Sequence, residues 1–114
     1  MIAIIFEVEP HPERKDAYLN IAGKLRADLE SIEGFVSIER FQSITNPDRM
    51  LSLSFFEDEE AVIRWRNLAS HRAAQKAGRD GLFNGYRLRV AQVLRDYGME
   101  DRAEAPEDSL AEHG

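Results

Sequence analysis

The stretch Ser54–Arg79, which reads SFFEDEEAVIRWRNLASHRAAQKAGR, decides the fold of this chain and holds its most chemically informative residues. It begins as the end of an apolar strand and passes into the acids at 57–60, which lie where a helix dipole favours negative charge. Asp58 has the short acidic side chain that commonly caps a helix. The helix then carries Trp65, the only tryptophan of the chain. The stretch predicts a strand, a capped helix and an indole ring on that helix.

A second helical piece follows the tryptophan and begins near His71. On one continuous helix, at about 100° per residue, Trp65 and His71 would point about 240° apart and would not share a pocket. Asn67 and Ser70 both suit helix ends, and Ser70 can cap a second helix that Gly78 terminates. A break at this point would let His71 and Trp65 address the same space.

The rest of the chain supplies the other elements of a small α+β domain. Alternating apolar residues predict a strand at 2–9, and an apolar stripe of helical period predicts a helix at 12–31. Two strands with a turn between them predict a hairpin at 35–56. After a bend at 81–85, the segment 86–97 reads as the last strand. The order is βαββαβ, which is the ferredoxin-like fold, an antiparallel sheet with helices on one face.

The sheet is predicted to be apolar on both faces, so its open face also needs a cover. In a chain of 114 residues the simplest cover is a second copy of the same chain. We therefore expect a homodimer in which two sheets meet face to face.

The charge of the chain is concentrated at its end. Residues 99–114 hold six acids and one arginine, a balance of −5, so the total of −6 leaves −1 for residues 1–98. A segment this polar cannot bury itself, and we expect a domain at 1–98 followed by an acidic, disordered tail at 99–114.

Composition also limits the partners. No basic patch would attract a nucleic acid, and no run approaches the roughly 20 apolar residues that cross a bilayer. The chain has no cysteine, and it begins in a strand with no basic leader. We expect a cytoplasmic protein that binds neither nucleic acid nor membrane.

Two readings remain open for each candidate site residue. Trp65 is either a large core side chain or the wall of a pocket, and an indole at a core edge can be both. His71 and Gln75 are neighbours on one helix face and either line that pocket or contact loop carbonyls at the surface. Tyr86 either borders a cavity or is a plain sheet residue. The three histidines are far apart in sequence, so no metal site is expected.

The segments Phe55–Ala61, Trp65–Asn67 and His71–Gln75 together resemble the antibiotic biosynthesis monooxygenase superfamily, whose members are small dimeric α/β barrels. The resemblance covers about 1–98. It implies oxygenation of a small aromatic or quinone-like molecule without a cofactor, in a dry cavity where polar groups stabilise an ionised substrate. The residues implied are His71, Trp65 and Asn67 as catalytic groups and Arg72, Gln75, Tyr86 and Phe6 as substrate contacts.

Two alternatives accompany this interpretation. The haem-degrading branch of the superfamily has an asparagine in the first strand and a histidine about ten residues beyond the tryptophan. This chain has Phe6–Glu7 and Gln75–Lys76 there, so only Trp65 carries over. The other alternative is a non-catalytic member that binds a small molecule or serves a stress response. A His71 side chain pointing to solvent would favour it.

Overall fold

The structure is a computed structural model that describes residues 1–114, with the side chains of Ala69 and Ser70 outside the description. The strands are β1 (Ile2–Pro10), β2 (Phe35–Gln42), β3 (Met50–Phe56) and β4 (Phe83–Gln92). The helices are α1 (Lys15–Glu30), α2 (Glu59–Arg66), α3 (Ala69–Ala77) and α4 (Glu107–His113). In the part of the chain that is described, no helix is long and apolar enough to cross a bilayer.

The four strands form one antiparallel sheet in the order β2-β3-β1-β4. Together with α1 and the α2–α3 pair this is the predicted ferredoxin-like βαββαβ fold. Asp58 caps α2 as expected, because the Ala61 N–H donates to its Oδ1 at 2.9 Å.

Strand register decides which side chains face the helices. Phe6 in β1 lies opposite Ser52 in β3 on one side and Leu88 in β4 on the other. A register shift near the start of β2 places Arg40 opposite Ser52. Since residues directly opposite share a face, these four side chains form one row across the sheet. A second row runs through Ile38, Ser54, Ile4 and Val90.

The hydrophobic core between helices and sheet is divided into two clusters. One is built on Phe56 and Leu29 under α2, with Trp65 packed against it. The other is built on Val8 and Leu82 near the end of α3, with Phe6, Phe83 and other partly buried side chains against it. Between the clusters, β3 presents the serines of the two rows in place of large apolar side chains.

The last strand lies earlier in the chain than the sequence predicts. The bend expected at 81–85 is confined to a π-helical turn, Gly78–Leu82, where Gly81 has a φ of 105°. Gly85 is already within β4 and pairs with Glu9. The glycines at 81 and 85 predict a longer bend because sequence pattern alone does not show that β1 extends far enough to pair with this segment.

The segment beyond residue 98, expected to be disordered, contains α4 in this structure. The Arg102 side chain donates to the carbonyls of Gly98 at 3.0 Å and Gly114 at 2.8 Å, and it lies 5.5 Å from the centre of the Tyr97 ring. These contacts give a polar segment local partners that composition does not reveal. The division of the chain at residue 98 stays a prediction.

Gly34, in the loop between α1 and β2, is held in a conformation that other residues rarely adopt. Its φ is 91°, and a Cβ there would lie 2.7 Å from the Cβ of the fully buried Ala61. We predict that Gly34→Ala lowers the free energy of unfolding by roughly 1–3 kcal/mol, the usual cost of such backbone strain.

Gly23 provides the matched control, since a Cβ at this position in α1 would meet nothing within 4 Å. Gly23→Ala should raise the free energy of unfolding by about 0.5–1 kcal/mol through helix propensity. Urea unfolding of both variants checks the pair. Equal effects would contradict the strain assigned to Gly34.

Candidate functional site

A cavity of about 380 Å³ lies between the two core clusters. Its floor is the sheet, where Phe6, Ser52 and Arg40 of one row line it together with residues of the second row. Its roof is formed by α1 and the α2–α3 pair, which contribute small side chains such as Ala22 and Ala74. Small groups on both layers leave volume that large side chains would otherwise fill. The space is within the range of small-molecule sites.

The predicted break between α2 and α3 is confirmed. The last residue of α2 is Arg66, and Leu68 occupies the N-cap position of α3 in an extended conformation. The expected cap was Ser70, whose side chain lies outside the description. Gly78 does not end the second helix by a left-handed turn, since its φ is −59° and the chain continues into the π-helical turn.

The break brings the Trp65 and His71 rings together, with centroids 4.1 Å apart. On its other side the indole stacks on Phe56, with centroids 5.5 Å apart. Trp65 is therefore both a core contact and a cavity wall, so the two readings left open by the sequence hold together. His71 also lines the cavity.

His71 is held neutral. Burial lowers its pKa from the ordinary 6.5 to about 4, and the positive charges of Arg66 and Arg72 add to the shift. The Gln75 Nε2 lies 2.8 Å from the His71 Nε2. Because an amide nitrogen only donates, the ring Nε2 accepts and the ring proton resides on Nδ1. His71 at neutral pH is thus a hydrogen-bond donor toward its surroundings and a weak base.

Buried polar atoms without partners concentrate at this cavity. Among the described residues they are His11 Nδ1, Arg40 Nε, Trp65 Nε1 and His71 Nδ1. The last three belong to side chains that line the cavity, and in the tautomer above all three are donors. Burying an N–H without an acceptor is unfavourable, so these donors would gain from an acceptor brought by a ligand.

The structure brings together five of the predicted site residues and leaves two outside. Those that line the cavity are Phe6, Trp65, His71, Gln75 and Tyr86. Asn67 and Arg72 do not line it. Asn67 Nδ2 donates to the Ile63 carbonyl at 2.9 Å, and its Oδ1 accepts from Arg72 Nη2 at 2.6 Å.

Asn67, predicted to be catalytic, and Arg72, predicted to contact the substrate, thus lie outside the cavity lining, and their roles stay predictions. Both side chains are exposed and bond to each other at the helix break, because the chain needs polar partners where α2 ends. Arg72 still influences the site by lowering the pKa of His71.

Sequence reasoning missed the polar floor of the cavity. Arg40, Ser52 and Ser54 all line it. The available signal was the alternation in β3, where serines alternate with Leu51, Leu53 and Phe55. Once β1 fixes which face meets the helices, the serines fall inside and the large apolar side chains outside. Arg66 and Arg79 also contribute to the cavity lining.

Among the described residues, no group of three or more His, Asp or Glu side chains is arranged to hold a metal ion. No acidic side chain lines the cavity, and the charged groups that do are Arg40, Arg66 and Arg79.

These features define a ferredoxin-like α+β domain that encloses a small-molecule-sized, apolar and positively charged site. The sequence model of the antibiotic biosynthesis monooxygenase family matches residues 1–77. The chain belongs to this family, as the resemblance implied.

Two sequence relatives agree with this assignment. The chain is 48% identical over 93 residues to a protein of Pyricularia oryzae named jasmonate monooxygenase ABM, covering 82% of this chain and 43% of that protein. It therefore spans less than half the length of this relative. It is 33% identical over 94 residues to the uncharacterised protein YqjZ of Bacillus subtilis, covering 82% of this chain and 79% of that one.

Solved structures support the fold. Rv0793 of Mycobacterium tuberculosis superposes with a TM-score of 0.76 at 13% identity, covering 85% of this chain and 98% of that one. A candidate antibiotic biosynthesis monooxygenase of Deinococcus radiodurans gives a TM-score of 0.77 at 9% identity, with 86% and 97% covered.

The neutral state of His71 gives a titration test. We predict that its ring titrates near pH 4 in NMR spectra of the folded protein, and that Arg66→Gln raises the midpoint by removing a nearby positive charge. Arg26→Gln on the exposed side of α1 should leave it unchanged. A midpoint near 6.5 in the parent protein would contradict the burial assigned to this ring.

The same shift couples to stability. Since the folded pKa lies below the unfolded one, the contribution of neutral His71 is fully present above pH 6.5 and is lost as the pH falls through about 4. In His71→Gln this part of the acid destabilisation should be absent.

Proposed function

We propose that this chain is a monooxygenase that oxidises a small cyclic molecule in the cavity between its helices and its sheet, without a metal or flavin. The observation that carries the proposal is the pair of buried N–H donors, Trp65 Nε1 and His71 Nδ1, which lack partners among the described residues and belong to side chains that line the cavity. Donors fixed in advance, in a site with little water, stabilise negative charge that develops on a substrate oxygen.

In the proposed reaction the substrate supplies the electrons. A carbonyl or phenol that loses a proton to water becomes an enolate or phenolate, and its carbon transfers electrons to O₂. The peroxide oxygen later takes a proton back from water. A C–O bond forms to give a hydroperoxide at a former CH₂ group. Loss of water then leaves a new C=O, so that R₂CH₂ and O₂ become R₂C=O and H₂O.

We assign His71 the role of anion partner in this reaction. Its pKa of about 4 makes it a poor acceptor of the substrate proton at neutral pH. Its N–H at Nδ1, set by the Gln75 bond at Nε2, is suited to donate to the ionised oxygen. Trp65 Nε1 supplies the second donor, and the aromatic side chains of Phe6 and Tyr86 contact the ring of the substrate.

The candidate substrates are anthrones, quinols and cyclic ketones. The Pyricularia relative is named for jasmonate, which is a cyclic ketone that carries a carboxylate. The absence of acidic side chains from the cavity lining is compatible with such a molecule. Jasmonate therefore belongs in the substrate panel beside the aromatic compounds.

Filling the cavity should abolish oxidation. We predict that Ala74→Leu, which adds side-chain volume to the lining, removes oxygen uptake on the best substrate of the panel. Ala73→Leu, at an exposed position of the same helix, is the matched control and should retain uptake. His71→Ala should reduce turnover by about 100-fold, the usual effect of removing one oxyanion donor. An oxygen electrode and mass spectrometry of the product measure both.

Oxygen uptake no greater than that of a His71→Ala, Trp65→Ala double variant would overturn the enzymatic proposal. Ligand binding without uptake would identify the non-catalytic alternative. Haem binding through His71 would appear as a shifted Soret band on titration. We expect none, since Gln75 already occupies the Nε2 of this histidine.

We also propose that the active form is a homodimer. The face of the sheet away from the helices presents Leu51, Leu53 and Phe55 on β3 and Ile5 on β1, all only partly buried. Phe41 on the edge strand β2 is 43% exposed on the same face. A second copy of this sheet would cover these side chains.

The dimer is tested by sedimentation velocity. We predict that the parent chain sediments as a dimer and that Leu53→Glu sediments as a monomer, because the new carboxylate would be buried at the interface. Ile63→Glu is the control, since Ile63 is 56% exposed on α2 and away from this face. If Leu53→Glu does not fold, Phe41→Glu at the edge replaces it. A monomeric parent chain would contradict the proposal.

A further inference from the structure

Arg40 brings an unpaired positive charge to the floor of the cavity. It lies in β2 opposite Ser52, on the face that meets the helices, and both residues line the cavity. Its Nε is buried and has no hydrogen-bond partner, and no carboxylate among the described residues lies within ion-pair distance of its guanidinium. Arginine keeps its charge at every physiological pH, so protonation cannot relieve this arrangement.

Four of the arginines elsewhere in the chain are paired with acids. Arg26, Arg49, Arg64 and Arg89 each lie within 3.2–3.6 Å of a glutamate oxygen. The cavity differs, since its lining contains three arginines and no acid. Positive charge in a site of low polarity attracts an anion much more strongly than the same charge in water.

The donors occupy two sides of the cavity. Arg40 approaches from the sheet, whereas Trp65 and His71 approach from the helices. In the row across the sheet only Ser52 separates Arg40 from Phe6. Neighbouring strands lie about 4.8 Å apart, so Arg40 and Phe6 are about 10 Å apart along the floor. A small ring over Phe6 can thus carry a side chain that ends at Arg40.

We propose that Arg40 is a specificity-determining residue that binds the carboxylate of the substrate, so that the site selects cyclic molecules bearing one negative charge. The inference rests on the proposed function because it takes the cavity to be the substrate site. In this arrangement the carboxylate accepts from the Arg40 guanidinium and the Ser52 hydroxyl. The ring lies over Phe6, and the oxygen that becomes ionised accepts from Trp65 and His71. All three unpartnered donors of the cavity are then satisfied by one molecule.

The test compares 4-cyclohexylbutanoate with its methyl ester, which has a similar shape and no charge. Trp65 is the only tryptophan, so its fluorescence reports binding in this cavity directly. We expect the acid to bind at least about 10-fold more tightly than the ester, as a hydrogen bond to a charged group contributes roughly 1.5–3 kcal/mol.

Arg40→Met should remove this preference and leave the ester affinity nearly unchanged, whereas Arg40→Lys should retain part of it. Arg26→Met, on the exposed side of α1, should preserve the preference for the acid fully. If Arg40→Met does not fold, as judged by circular dichroism, Arg40→Lys and Ser52→Ala replace it as test variants. In both, the ratio of the affinity for the acid to the affinity for the ester should be lower than in the parent chain. Equal affinities for acid and ester in the parent chain, or no binding of either, would overturn the proposal.

Failure of this inference is separable from failure of the proposed function. Oxygen uptake on the substrate panel with no preference for acids would refute the role of Arg40 alone. A preference for the acid that disappears in Arg40→Met, without uptake on any substrate, would establish the carboxylate site and refute the monooxygenase.

Discussion

The structure depends on a cavity between its helices and its sheet. A sheet with helices on one face usually joins them through one continuous core, yet here the core is divided into two clusters. The reason lies in the size of the side chains between them, which are Ser52 and Ser54 on the sheet and Ala22 and Ala74 on the helices. Larger residues at these positions would close the two layers on each other. The cavity therefore results from small residues at inward-facing positions of the sequence. Aromatic side chains lie at either end of it.

The break between α2 and α3 determines the chemistry of that cavity. It allows the His71 ring to lie against Trp65, which one continuous helix would prevent. It also explains why Asn67 and Arg72 bond to each other at the surface, since a helix end needs polar partners. The burial that brings His71 inside keeps it neutral. One local feature thus converts a histidine from a possible base into a donor.

Local patterns were enough to predict the fold, because each element carries its own signal. These signals are the Asp58 cap, the alternation in β1 and the helix-end residues after Trp65. Each of them is recognised from a few neighbouring positions in the sequence. The floor of the cavity was not predicted, because the inward direction of Arg40 depends on its pairing with Ser52, 12 positions along the chain. The residue type of Asn67 suits both a site and a helix end, and the structure places it at the helix end. Disorder beyond residue 98 and the division of the chain into a domain and a tail rest on composition alone.

The two faces of β3 connect the site to the proposed dimer. An isolated two-layer domain normally places its large apolar side chains toward the helices, yet the middle of this strand places serines inside and Leu51, Leu53 and Phe55 outside. A small domain buries little apolar surface, so an interior that is partly unfilled lowers its stability. Burial of the outer face against a second sheet would offset that loss without filling the cavity. In this arrangement the outer face of the sheet contributes stability through the dimer, and the inner face binds the ligand. Alternate residues of the same strand therefore serve the two purposes.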